Sequence, residues 1–285
     1  MTETRHVLFA GFGYVAEVTA ARLAAAGWTV AASTRSAGTA ERIADMGYAP
    51  VLADPASEAG AKALRAAVGR ASALVSSVPP GEGGDPVLGA LSGAKLGATR
   101  PVYLSTTGVY GDRQGGWAFE RDAPTPGQAR SVRRAEAESG WEALGAVLLR
   151  LGGIYGPGRS ALDRIRGGET SVSDKPGQVF SRIHVADIAS AIERMLETPG
   201  ASGAFNIVDD HPSSQAEVLI GAARLLEAPE PEVTAFDPER ASPMLASFYA
   251  ECRRVSNARA KAVLGWRPAY PGWREGLAAI LRAGG

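Results

Sequence analysis

Apolar positions along the first half of the chain fall into two alternating rhythms. Short apolar runs read as strands at His6–Ala10, Trp28–Thr34, Ala49–Leu52, Ala73–Ser77, Pro101–Ser105 and Ala146–Leu151. Between them, apolar residues recur at helical spacing over Ala16–Ala26, Thr39–Met46, Glu58–Ala67, Val87–Lys95 and Ala129–Leu144. Six strand signals therefore alternate with five helix signals. Parallel neighbours need crossover connections, so this alternation predicts an α/β fold, a Rossmann-type doubly wound parallel sheet. The unbroken run Ala146–Leu151 (AVLLRL) suits a parallel strand covered on both faces.

After Gly156 the rhythm breaks. Arg159–Gly177 reads as a loop rich in glycine and charge, followed by a helix at Val185–Leu196, a strand at Phe205–Val208 and a helix at Pro212–Leu226. A proline-dense stretch, Pro229–Pro243, precedes terminal segments around Asn257–Leu264 and Trp273–Leu281. The expected organisation is a dinucleotide-binding domain over residues 1–155, to which 178–208 return. Residues 156–177 and 209–285 then form a small, irregular C-terminal substrate-side region, placed to cap the carboxyl edge of the sheet.

Composition narrows the function class. A length of 285 residues suits one large domain or two closely joined ones. Thirty basic and thirty acidic residues cancel, which argues against nucleic acid or an anionic membrane as partner and leaves a small-molecule substrate. Cys252 is the lone cysteine, so no internal disulfide forms and a reducing, cytoplasmic location is expected. Met1–His6 lead into the first strand without a signal-peptide pattern, and no apolar run approaches the roughly 20 residues that span a bilayer. His6, His184 and His211 lie far apart in the chain, so no metal site is expected.

The segment Gly11-Phe12-Gly13-Tyr14-Val15-Ala16 matches G-x-G-x-x-G/A between a strand and a helix. There Gly11 permits the tight turn, Gly13 lets backbone approach a pyrophosphate, and Ala16 lets helix pack closely on strand. The helix start offers free N–H groups to the phosphates. Roughly 20 residues on, an acidic residue would hold the ribose 2′-hydroxyl of NAD. The chain has Ser33-Thr34-Arg35-Ser36 instead, hydroxyls and a guanidinium suited to the 2′-phosphate of NADP, with NAD as the alternative. Asp54, after the third strand, is a candidate for the adenine amino group or else caps its own loop.

Two later stretches, Leu104-Ser105-Thr106-Thr107-Gly108-Val109-Tyr110-Gly111 and Leu149 to Gly158 (LRLGGIYGPG), resemble the extended or atypical short-chain dehydrogenases/reductases. This is the group of the NAD(P)-dependent nucleotide-sugar epimerases and dehydratases. Arg182–Ile188 (RIHVADI), Phe205–Val208 (FNIV), Val255-Ser256-Asn257 and Leu264-Gly265-Trp266 extend the likeness over nearly the whole chain. The resemblance implies that Thr106 hydrogen-bonds substrate, that Tyr110 and Tyr155 are candidates to line its cleft, and that His184 supports a turn. It also allows a homodimer by analogy.

One departure stands out. The resemblance implies a Tyr-x-x-x-Lys acid/base pair on one helical face. At that place stand Arg130 and Arg134, so the dyad is absent. Arginine stays protonated, so Arg130 is no general base. Arg134 retains the electrostatic half of the lysine's role, or either arginine holds an anionic substrate, unless Arg134 simply pairs with Glu138. A proton then passes through Tyr110 or a water on Thr106. The expected function is an NADP-dependent oxidoreductase, epimerase or dehydratase acting on a polar, nucleotide-sugar or phosphorylated substrate, with Arg159, Arg166 and Arg182 as phosphate contacts. The alternative is a non-catalytic NADP(H) sensor.

Overall fold

The computed structural model describes residues 5–284; residues 1–4, read above as leading straight into the first strand, and residue 285 lie outside the described residues. The chain divides into two compact units, 1–106 with 129–150 and 189–205, and 107–128 with 151–188 and 206–285. Residues 107–128, 151–155, 178–188 and 206–208, assigned above to the dinucleotide-binding domain, group with the second unit.

A seven-stranded sheet is built from β1 (His6–Ala10), β2 (Thr29–Thr34), β3 (Ala49–Leu52), β4 (Ala73–Ser76), β5 (Arg100–Thr106), β6 (Val147–Leu151) and β7 (Ala204–Ile207). Its order is β7-β6-β5-β4-β1-β2-β3. β1 lies between β2 and β4, parallel to both, with Val7 opposite Val30 and Ala73. The chain thus winds outward through β2 and β3, then returns to the other side of β1 at β4. That reversal is the topological switch point, where open α/β sheets bind ligands beyond the strand carboxyl ends.

Helices α1 (Tyr14–Ala25), α2 (Ala37–Asp45), α3 (Glu58–Val68), α4 (Pro86–Leu91) and α5 (Ala129–Ala143) supply the covering layers. Ser36, Ser57 and Asp85 cap α2, α3 and α4 by accepting first-turn N–H groups, which fixes where each begins. Val7, Leu8, Phe9 and Ala10 are wholly buried, as a strand covered on both faces requires. One core cluster gathers Leu8, Leu64, Leu74, Leu91, Tyr103, Trp141 and Leu148. In it the Tyr103 and Trp141 rings stack at 5.4 Å, while Trp141 Nε1 donates to Asp85 at 3.0 Å. Arg100 donates to the carbonyls of Met195, Thr198 and Ala201, stapling the returning segment to β5.

The second unit is built from short pieces. Gly153–Tyr155 pairs with Arg182–His184, Ser171–Asp174 with Glu232–Ala235, and Trp117–Ala118 with Arg254–Val255, all parallel. Its core contains Tyr155, Leu162, Leu219, Trp273, Leu277 and Ile280. Two stretches read as loops carry structure here. Arg159–Gly177 holds a helix at Ala161–Arg166, started by a Ser160/Asp163 capping box, and the strand Ser171–Asp174. The proline-dense stretch holds the strand Glu232–Ala235 and ends where Pro243 opens a helix to Tyr249. Each strand has its partner about sixty residues away, so no local rhythm announces it. No described helix is long and apolar enough to cross a membrane.

Candidate functional site

The glycine turn follows β1 at the switch point. Gly11 has φ +86°, a left-handed conformation that glycine adopts without strain. A Cβ there would lie 3.0 Å from Val78 Cγ2 and 3.1 Å from Ser77 Oγ, so the turn is pressed against the residues after β4. Ser77 completes the contact by donating its backbone N–H to Ala10 O at 3.0 Å. Phe12 is buried and packs edge-on against Tyr48 at 6.2 Å.

Gly13 differs in kind. Its Cβ position meets nothing within 4 Å. It occupies the N-cap of α1, and no side chain caps that helix. Tyr14 and Val15 open the helix, half-buried, and Ala16 is 1% exposed. The turn therefore presents an uncapped helix start and open space over a glycine, the features a pyrophosphate would use.

At the end of β2, Ser33 proves to be a support. It is buried, and its Oγ accepts the Gly11 N–H at 3.2 Å. Thr34 Oγ1 accepts the Ser36 N–H at 3.2 Å, and Ser36 Oγ caps α2 through Thr39 N. These three hydroxyls are engaged in local structure, whereas Arg35 is exposed. Asp54 is exposed, and its Oδ1 accepts the Ala56 N–H at 3.1 Å in an Asx turn. Gly60 is needed beneath it, since a Cβ there would fall 2.0 Å from Asp54 O.

Thr106 ends β5, half-buried. Arg130 is exposed near the start of α5. One turn later, Arg134 donates Nη1 to Tyr103 Oη at 2.8 Å and to Leu104 O at 3.2 Å, with its guanidinium 5.3 Å over the Tyr103 ring. The pairing of Arg134 with Glu138 considered above is not formed. Glu138 is bound instead by Arg150 at 2.7 Å and by Ser105 Oγ at 2.5 Å, all three buried. Burial pushes the Tyr103 phenol well above its ordinary range, and Arg134 only partly offsets this.

In the second unit, Tyr110 is wholly buried and its hydroxyl donates to Asn206 Oδ1 at 2.8 Å, so a proton route through it would have to break that bond. Tyr155 is 8% exposed and donates to Gly272 O at 3.3 Å. Burial raises its phenol far above the usual range. His184 packs against Tyr155 and Tyr270, accepts the Ala186 N–H at Nδ1, and is lowered to about 4 by burial. The phosphate role expected of Arg182 is corrected: it is 8% exposed, and its guanidinium is taken by Phe180 O, Ser213 O and Gln215 Oε1. Arg159 and Arg166 are exposed.

Sequence reasoning missed Ser77, the Ser105–Glu138–Arg150 group and Asp209. Asp209 is 1% exposed, with Oδ2 unpartnered, and desolvation raises it to about 7. A polar residue within an apolar run, such as Arg150 in AVLLRL, was the signal for one of them. Among the described residues no group of three His, Cys, Asp or Glu is arranged to hold a metal ion.

No protein-family model matches the chain. A conserved protein of unknown function from Silicibacter pomeroyi is 38% identical, with 98% of this chain aligned to 99% of that one at a TM-score of 0.88. A 3-diazoavenalumate denitrifying reductase from a Streptomyces species is 35% identical over 170 residues, 55% of each chain. The chain thus spans about half the length, or less, of the curated relatives it matches. The fold also matches UDP-glucose 4-epimerase from Thermus thermophilus in complex with NAD, at a TM-score of 0.75 and 21% identity over 97% of this chain and 98% of that one.

Proposed function

We propose, for a chain that belongs to the same family as the conserved Silicibacter pomeroyi protein and carries the extended short-chain dehydrogenase/reductase fold, a nicotinamide-dinucleotide-dependent reductase of a polar small molecule. The observation that carries this reading is the open, uncapped start of α1 over Gly13, at the sheet's switch point. Backbone N–H groups of the residues after Gly11, at the start of α1, would bind the pyrophosphate, and Arg35 would bind a 2′-phosphate, which favours NADPH. When bound, the dinucleotide supplies the hydride.

The chain's own residues favour reduction over epimerisation or dehydration. Those reactions begin by taking a proton from a hydroxyl, and so need a base. Arg130 stands at the tyrosine's place and stays protonated, while the Tyr103 phenol is buried, raised and engaged with Arg134. A reduction makes a lighter demand. An alkoxide can take its proton from water held by Thr106, and some acceptors need none. Hydride added to a diazonium carbon expels neutral dinitrogen, which fits the name of the Streptomyces relative. Arg130, exposed near the start of α5, would bind an anionic group of such a substrate.

The test is calorimetric titration with NADPH and NADH, followed by single-turnover oxidation of bound NADPH against panels of diazonium salts, aldehydes and nucleotide sugars. Binding with oxidation by a member of the first two panels supports the reading. Binding with no turnover on any panel points to the sensor, and no binding removes both.

A further inference from the structure

Arg130, Arg134 and Glu138 form one stripe on α5, at intervals of four residues. An arginine and a glutamate so spaced normally meet on the helix surface. Here they do not. Glu138 is 3% exposed and its carboxylate is used elsewhere. Oε1 accepts from Ser105 Oγ at 2.5 Å and from Arg150 Nε at 3.0 Å, and Oε2 accepts from Arg150 Nη2 at 2.7 Å. Arg150 lies on β6, itself 5% exposed. Arg134 turns instead to two neutral acceptors, Tyr103 Oη and Leu104 O. Among the described residues no carboxylate pairs with it.

Burying two charges is costly, and an apolar pair of similar volume often folds as well or better. Stability alone therefore does not explain Arg150 and Glu138. Their arrangement has another consequence, because it removes the one carboxylate that α5 would offer to Arg134. We infer that Ser105, Glu138 and Arg150 are positioning residues that keep Arg134 an uncompensated cation at the end of β5. Arg134 in turn makes the site discriminate between the two redox states of its dinucleotide. This rests on the dinucleotide reading above, with Arg134 at the lysine's place.

The discrimination follows from charge. An oxidised nicotinamide ring is positive and a reduced one is neutral, so a fixed cation nearby repels only the oxidised form. The site then loads the hydride donor and sheds the spent cofactor, which favours working as a reductase. Since a guanidinium does not titrate in the working range, the preference holds where a lysine's would fade at high pH.

The test compares dissociation constants for NADPH and NADP+, repeated with NADH and NAD+, on the whole chain and on Arg134→Gln, Arg150→Met and Arg150→Met/Glu138→Gln. The wild type is expected to favour the reduced form by at least about fivefold, the fully water-screened scale for like charges roughly 4 Å apart. Arg134→Gln should bring the ratio towards one with both forms still bound. Arg150→Met should shift it the same way, because the abandoned Glu138 captures Arg134, and adding Glu138→Gln should restore the preference. A merely structural role would weaken both forms alike and leave the ratio unmoved. A wild-type ratio retained in Arg134→Gln overturns the inference and leaves the dinucleotide reading standing, even if Arg150→Met fails to fold. No binding of either form by the wild type overturns the reading itself.

Discussion

The backbone N–H of Gly11 donates to Ser33 Oγ at 3.2 Å, joining the turn after β1 to the last buried residue of β2. The hydroxyl that sequence order offered to a cofactor phosphate thus supports the glycine turn. Ser33→Ala should cost roughly 1 kcal/mol of stability, the usual worth of such a bond. It should also weaken NADPH and NADH equally, by several-fold. Denaturant unfolding and calorimetry check both, and a loss confined to NADPH would return Ser33 to the role of a phosphate ligand.

Gly13 separates binding from folding. Its Cβ position is open, so Gly13→Val should cost only about 1 kcal/mol of stability, the loss of a favourable N-cap residue. The same side chain would stand where the pyrophosphate must approach, and dinucleotide binding should disappear. Retained binding in this variant would remove the central support of the proposed function.

On the proposed reading Arg35 supplies the positive charge for a 2′-phosphate, beside hydroxyls whose oxygens already accept backbone N–H groups. Arg35→Ala should lower affinity for NADPH by roughly tenfold or more, the scale of a lost charge-assisted contact, and leave NADH unchanged. Equal affinities in the wild type would remove the preference for NADPH.

Stability should respond to pH through Asp209. Its folded value, raised to about 7 by burial, exceeds the ordinary carboxylate value, so the folded state holds the proton more tightly than the unfolded one. The associated stability is greatest at low pH and is lost as pH rises through 7, on the order of a few kcal/mol. His184 works in the other direction: lowered to about 4, it costs stability as pH falls below 6.5. Asp209→Asn should flatten the fall in melting temperature between pH 5 and 8. An unchanged slope would show that Asp209 is already protonated across that range or solvated.

Gly276 tests the packing of the second unit. A Cβ there would lie 2.1 Å from Tyr155 Oη, and Tyr155 is held by its bond to Gly272 O. Gly276→Ala should therefore destabilise by about 1–3 kcal/mol, as overpacking does. An unaltered unfolding midpoint would mean that Tyr155 moves aside freely.

By itself, the sequence determined the strand–helix alternation, the doubly wound sheet and the glycine turn. These are local matters: apolar runs, helical spacing, caps and a G-x-G-x-x-A turn all act within about a dozen neighbouring residues. The places of Gly13 at the helix start and of buried Ala16 in its first turn were legible too, since both follow from the local motif.

Tertiary structure decided which polar groups remain available. Ser33 was drawn to Gly11, 22 residues away, Tyr110 to Asn206, 96 away, and Arg182 to Ser213, 31 away. It likewise took Glu138 from Arg134, its neighbour on the helix, and gave it to Arg150 on another strand. A buried donor, acceptor or charge must find a partner once water is excluded, and that partner is chosen by how strands and helices pack. Residue type and spacing name the candidates for chemistry, but only packing shows which of them are already engaged in holding the fold.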